Sequence, residues 1–233
     1  MLGTLYGIGV GPGDSGLITQ KAIEIIKNID IIVAPISKMG KKSKAFQIAK
    51  PHLKDNVETV ELEFPMIDLE KEKDTLTTKW KENAEVIAKL LEQGKNVAFL
   101  TLGDPMVYST YSYMIPYLEE VDIKPVTIPG ITSFCASASA LGVPIVQGNE
   151  TFCVLTQITS LEEFDKYRVL FENIIIMKPN SSRETINEAI KKYDLYDKVY
   201  AVSNCGDESQ VIATGLIKED VSYFTIILIK GLK

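Results

Sequence analysis

Residues 9–16 read Gly9-Val10-Gly11-Pro12-Gly13-Asp14-Ser15-Gly16 and separate two segments of different period. Before them, Leu5 to Val10 is apolar and punctuated by glycine, the pattern of a buried strand. After them, Leu17, Ile18, Ala22, Ile25, Ile26 and Ile29 recur at near-helical spacing, so the order predicted is strand, tight loop, helix. From Gly11 onward the letters also satisfy G-x-G-x-x-G, the dinucleotide fingerprint. The physics behind that fingerprint opposes the match. A pyrophosphate is held by backbone amides, whereas Pro12 has no N–H and Asp14 would set a carboxylate beside the phosphates. Nor is there an evident acid about 20 residues on for the ribose, since Asp30 comes too early, at the start of its strand. Capping of the helix by Asp14 or Ser15 explains part of the composition, but not four glycines and a proline in eight residues. A ligand with a neutral or cationic contact face suits the loop better than a phosphate.

Working outward, Asp30 to Pro35 reads as a second buried strand, and Val57 to Leu62 alternates like a strand half open to solvent. Asp68 to Gln93 is a long charged helix closed by Gly94, and Asn96 to Leu102 a further buried strand stopped by Gly103-Asp104-Pro105. After a helix through Tyr111 and Tyr117, the polar stretch Glu119 to Lys124 reads as the joint between two lobes, residues 1–120 and 121–233. The second lobe opens with a short strand, the turn at Pro129 and Gly130, and a helix from Thr132 to Leu141. It closes with Gln210 to Gly215 and Tyr223 to Ile229, near enough in sequence to suggest an antiparallel element in a mixed sheet. The fold class predicted is α/β, in two lobes.

The composition excludes several functions. The chain has 233 residues, 45% hydrophobic, with a formal net charge of −6, which argues against a nucleic-acid surface. No apolar stretch nears the roughly 20 residues needed to span a bilayer, and the first residues lack a signal-peptide pattern, so a cytoplasmic protein is expected. Cys135, Cys153 and Cys205 are far apart and His52 is the only histidine, so no metal site and no His-centred triad is expected. The cysteines read as small buried hydrophobes and His52 as a surface residue. One local departure stands out: from Ile36 to Lys54 there are six lysines and no acid, a positive patch on an acidic protein.

Three loops carry more composition than a turn requires: Gly9 to Gly16, Gly103 to Pro105, and Pro129 to Ser133, each following an apolar strand. Together they carry a family resemblance. Tyr6 to Pro35 resembles the opening motif of the tetrapyrrole (precorrin and uroporphyrinogen) methyltransferases, Leu100 to Thr110 their second motif, and Ile128 to Ile145 their third, in order and along both lobes. The resemblance implies S-adenosylmethionine as methyl donor, leaving as S-adenosylhomocysteine, bound in a cleft between two α/β lobes. Matching positions implicate Pro12, Leu102, Gly103, Asp104, Val107, Thr132 and Ser133 in holding it, with Met177 and Gly206 at looser matches. Methyl transfer from a sulfonium chiefly needs alignment, so neither metal nor histidine is required. Asp104 and Tyr108 are the candidate acceptors of the proton lost by a carbon nucleophile. Lys38, Lys41, Lys42 and Lys44 are candidates to meet the carboxylates of a tetrapyrrole.

The string from Gly103 to Thr110 is closest to the precorrin-2 or cobalt-factor II C20-methyltransferases of cobalamin biosynthesis. Methylation at C2/C7 or C11, an RNA or diphthine methylase of the same fold, a nicotinamide-dependent oxidoreductase and a non-catalytic tetrapyrrole-binding protein are the alternatives. A homodimer is implied by the resemblance.

Overall fold

The apolar run before the glycine loop is β1 (Leu5–Gly9), and it lies inside a five-stranded sheet of order β3-β2-β4-β1-β5. Its partners are β2 (Ile31–Ile36), β3 (Glu58–Glu63), β4 (Val97–Thr101) and β5 (Val126–Ile128), and every pairing is parallel. The helices between them are α1 (Gln20–Ile26), α2 (Lys44–Ala49), α3 (Lys73–Glu92) and α4 (Thr110–Glu119). This computed structural model describes residues 1–38, 40–65 and 71–233, which form two units, Met1–Thr132 and Ser133–Lys233. Residues 68–70, where α3 was expected to begin, lie outside the described residues.

In the first unit the sheet is covered on both faces, as a parallel sheet requires. Alternate residues of β4 divide between the two cores. Val97 and Phe99 face α3 and α4 through Ile87, Leu91, Tyr111 and Met114. Ala98 and Leu100 face α1 and α2 through Ala22, Ile26, Ala45 and Ile48. Helix starts are fixed by side-chain caps: Thr19 accepts from Ala22 N–H, Ser43 from Phe46 N–H and Ser109 from Tyr111 N–H. On the outer side, Trp80 of α3 stacks on Tyr113 of α4, ring centroids 4.5 Å apart and planes 10° from parallel.

The second unit contains α5 (Ser133–Leu141), α6 (Leu161–Leu170) and α7 (Arg183–Tyr193) around a sheet of order β6-β7-β10-β8-β9. Its strands are β6 (Phe152–Leu155), β7 (Asn173–Met177), β8 (Val199–Ser203), β9 (Val211–Thr214) and β10 (Thr225–Ile229). The β6–β7 pairing is parallel, while β10 runs antiparallel to β7 and β8, and β9 antiparallel to β8. One face carries α6 and α7 over Ile174, Ile176, Ile227 and Ile229; the other packs Phe134 and Leu141 of α5 on Ile175, Ile226 and Leu228. Buried Asn173 ties this sheet's end: its amide donates to Glu150 Oε2 at 3.0 Å and its carbonyl accepts from Gly231 N–H at 3.1 Å.

One expectation is corrected. The joint does not fall at residues 119–124, with lobes 1–120 and 121–233, because β5 hydrogen-bonds in register to β1 (Tyr6 opposite Val126, Ile8 opposite Ile128) and so belongs to the first unit. The polar stretch is the surface turn between α4 and β5. The last two strands do form an antiparallel element in a mixed sheet, as expected, each pairing with β8 from opposite sides. Among the described residues no helix is long and apolar enough to cross a membrane.

Candidate active site

Because every strand of the first sheet runs the same way, the loops after β1, β2, β4 and β5 leave from one edge. The chain passes from β1 to α1 on one face of the sheet and from the neighbouring β4 to α4 on the other. Connections that diverge between adjacent strands leave a crevice at their carboxyl ends, the usual ligand position in open α/β sheets. The three loops singled out in the sequence meet at that edge.

They are joined through main chain. Gly103 N–H donates to Gly11 O at 2.8 Å, Gly11 N–H to Gly103 O at 3.3 Å, and Val10 N–H to Thr101 O at 2.9 Å. The approach leaves no room for side chains. A Cβ on Gly9 would lie 2.6 Å from Gly130 N, and one on Gly130 only 2.1 Å from Gly103 O. Gly103 has φ 72°, a left-handed conformation that glycine adopts without strain. Glycine at these positions thus serves backbone contact between loops.

Asp104 binds the second loop to the third. Its Oδ1 accepts from Met106 N–H at 2.8 Å and its Oδ2 from Gly130 N–H at 3.0 Å. Both carboxylate oxygens therefore hold backbone, and the geometry gives Asp104 a positioning task. Tyr108 follows in a left-handed conformation, φ 47°, with half of its surface exposed. Such a backbone costs a non-glycine residue about 1–2 kcal/mol and is concentrated at functional sites. Asp14 caps the 3₁₀ turn Ser15–Leu17 by accepting from Gly16 N–H at 2.7 Å, and α1 starts only after a second cap at Thr19.

Pro12 and Gly103 are buried at this edge, with Leu102 and Val107 half-buried beside them. The Thr132 hydroxyl is buried and has no hydrogen-bond partner among the described residues, an arrangement costly enough to point to a missing polar atom. Ser133 opens α5 in the second unit. Met177 and Gly206 also lie there. Because β7 and β8 are both antiparallel to β10, they end at the same side of the sheet, with Met177 opposite Ile226 and Ser203 opposite Thr225. Lys178, Asn204 and Gly206, just past those ends, all have positive φ. The first unit thus gathers Pro12, Leu102, Gly103, Asp104, Val107, Tyr108 and Thr132, and the second gathers Met177 and Gly206.

The lysine segment leaves β2, the neighbour of β4, from the same edge of the first sheet. Lys38, Lys41 and Lys42 are exposed, and Lys44 is half-buried at the start of α2. Two cysteines have a structural setting: burial pushes the Cys153 thiol up to about 11 and also raises that of Cys205, so both stay protonated near neutrality. His52 is the residue that sequence reasoning misses. It is half-buried, with Nε2 3.0 Å from Ser15 O in the glycine loop. Its position in a lysine-rich stretch, 37 residues from its partner, carries no signal of that contact.

Comparison with known proteins follows the same line. Residues 4–219 match the model of the family described as Tetrapyrrole (Corrin/Porphyrin) Methylases. The chain is 44% identical over 192 residues to a probable cobalt-precorrin-2 C(20)-methyltransferase of Methanocaldococcus jannaschii, covering 82% of this chain and 79% of that protein. It is 28% identical to a precorrin-2 C(20)-methyltransferase of a Sinorhizobium species, covering 100% of this chain and 97% of that one. In fold it is similar to uroporphyrin-III C-methyltransferase of Thermus thermophilus complexed with S-adenosylhomocysteine. That likeness has a TM-score of 0.67 at 17% identity and covers 99% of this chain and 93% of the other.

Proposed function

The chain belongs to the tetrapyrrole (corrin/porphyrin) methylases, and from that membership we propose that it transfers the methyl group of S-adenosylmethionine to C20 of cobalt-bearing precorrin-2 in cobalamin biosynthesis. The carrying observation is the 44% identity, over most of both chains, to a relative named for that reaction. The loop assembly at the carboxyl edge of the first sheet supports it.

The residues present fit the donor. The three loops contain no lysine or arginine to balance a pyrophosphate, while Asp14 and Asp104 favour a cationic ligand. The unpartnered Thr132 hydroxyl suits a polar atom of the adenosine or the methionine portion. Pro12, Leu102, Gly103, Asp104, Val107, Thr132 and Ser133 would hold the donor, with Met177 and Gly206 assigned by resemblance. When bound, S-adenosylmethionine supplies an electrophilic methyl carbon whose leaving group departs as a neutral thioether.

Alignment is the chain's share of the work. Asp104 keeps the second and third loops in register through Gly130 and Met106. Tyr108 relays to water the proton that C20 loses once the new carbon–carbon bond has formed. The ammonium groups of Lys38, Lys41, Lys42 and Lys44 meet carboxylates at the rim of the tetrapyrrole. A homodimer completes the proposal, to be read by light scattering as twice the chain mass of 25.8 kDa.

Incubation with methyl-labelled donor and precorrin-2, with and without cobalt, tests the reaction, followed by NMR of the product. Label at C20 of the cobalt-bearing ring is expected. Label at C2, C7 or C11 overturns the position, and turnover of the metal-free ring alone overturns the choice of substrate. Preferential binding of a nicotinamide dinucleotide over S-adenosylhomocysteine would overturn the donor.

A further inference from the structure

The glycine loop is held at one end by Gly103, which exchanges main-chain hydrogen bonds with Gly11. At its other end Ser15 O takes a weak 3.4 Å bond from Ile18 N–H and the shorter 3.0 Å contact from His52 Nε2. A carbonyl oxygen only accepts, so Nε2 carries the proton. From this we infer that His52 is a positioning residue for methyl-donor binding, acting through the glycine loop; the inference rests on the donor reading above.

The support for His52 is rigid. It closes the 3₁₀ turn Lys50–His52, which continues α2 and has Pro51 near its start. Helix α2 is anchored by Ala45, Ile48 and Ala49 in the same core cluster as Ile18 and Ala22 of the glycine loop and α1. The imidazole therefore reaches the loop from an element that cannot easily withdraw. Loop residues Gly11, Gly13 and Gly16 have no side chains for such fastening, and the exposed Asp14 carboxylate is engaged with Gly16 N–H. Without the imidazole, the Ser15 end of the loop would keep only the bonds of its own 3₁₀ turn, Leu17 N–H to Asp14 O at 3.0 Å and Ile18 N–H to Ser15 O at 3.4 Å, with no fastening to α2, and binding would have to order it further. The helix also begins at the lysine segment, with Ser43 as its cap. One short element thus joins the candidate substrate lysines to the candidate donor loop.

Since His52 is the sole histidine, histidine-specific isotope labelling of the whole chain yields one imidazole spectrum, and titration with S-adenosylhomocysteine reads the contact directly. The ring signals are expected to show a protonated Nε2 and to shift saturably, with the dissociation constant found by calorimetry. His52→Ala is expected to weaken S-adenosylhomocysteine binding about tenfold, or ~1.4 kcal/mol, and to raise the donor KM alike with kcat at saturating donor preserved. His52→Gln, whose terminal amide can also donate to Ser15 O, is expected to recover most of the loss. If His52→Ala folds poorly, the titration of the unaltered chain still decides.

Ring signals that do not move while calorimetry shows binding, or a His52→Ala dissociation constant within twofold of the original, would overturn the inference and leave the donor reading standing. Failure of the unaltered chain to bind S-adenosylhomocysteine would overturn both.

Discussion

In the first unit the closest seams of the working edge are closed by main chain, with the Asp104 and His52 side chains adding to them. Gly11 and Gly103 bond to each other, and Gly9 and Gly130 pack without room for a Cβ. In the second unit equivalent seams are closed by side chains. Asn173 joins Glu150 to Gly231; Asn187 donates to Ile217 O and accepts from Ile217 N–H; Glu172 accepts from both the N–H and the hydroxyl of Thr151. Main-chain seams bring loops to the closest approach that atoms allow and keep them in one register, but they forbid any side chain at the crossing. Side-chain clamps leave the backbone farther apart and tolerate bulk, yet each fails when one polar group is deleted. A ligand edge whose geometry must not drift suits the first design, and a supporting sheet suits the second.

The contrast breaks most visibly at Gly130. Gly130→Ala drives a methyl group into Gly103 O and is expected to cost more than about 3 kcal/mol of stability, beyond ordinary overpacking, and to abolish S-adenosylhomocysteine binding. Urea unfolding and calorimetry measure the two effects, and retention of binding would refute the crossing. Asn173→Ala should do the reverse. Deleting the buried Asn173 amide, which donates to Glu150 and accepts from the half-buried Gly231 N–H, costs about 1–3 kcal/mol, while donor affinity in the folded protein stays within twofold. A smaller effect is expected on the open rim of the first unit: Lys41→Ala with Lys42→Ala should raise the tetrapyrrole KM several-fold, by loss of uniform binding, and leave donor affinity alone.

The smallest effect concerns acid. The Thr151 hydrogen bonds hold the Glu172 carboxyl at about 2, below its usual 4.5. Its contribution is therefore present above pH 4.5 and is lost as pH falls toward 2. Glu172→Gln should show a shallower loss of stability across that window when thermal melting is followed against pH.

Much of this is legible in the sequence. The period change at Gly9 to Gly16 locates β1 and α1, and the missing N–H of Pro12 with the carboxylate of Asp14 turns the loop away from phosphate on residue chemistry alone. The unread parts depend on contacts between distant residues. Three residues of β5 bear no mark of belonging to the first sheet, and only pairing with β1 places them there. Nearness in sequence suggests an antiparallel element for the last two strands but does not name their shared partner, β8, which pairing alone identifies. Asp104 reads as a reactive acid because its partner Gly130 stands 26 residues away. In each case a local pattern names the element, and a long-range hydrogen bond decides its use.

The stack of Trp80 on Tyr113 has a practical consequence. Trp80 is the only tryptophan of the chain, and both helices of the stack belong to the first unit. Tryptophan emission therefore follows that unit alone, whereas far-ultraviolet dichroism sums over both. A denaturation curve recorded in the two ways is expected to separate if the units melt independently and to coincide if they melt as one.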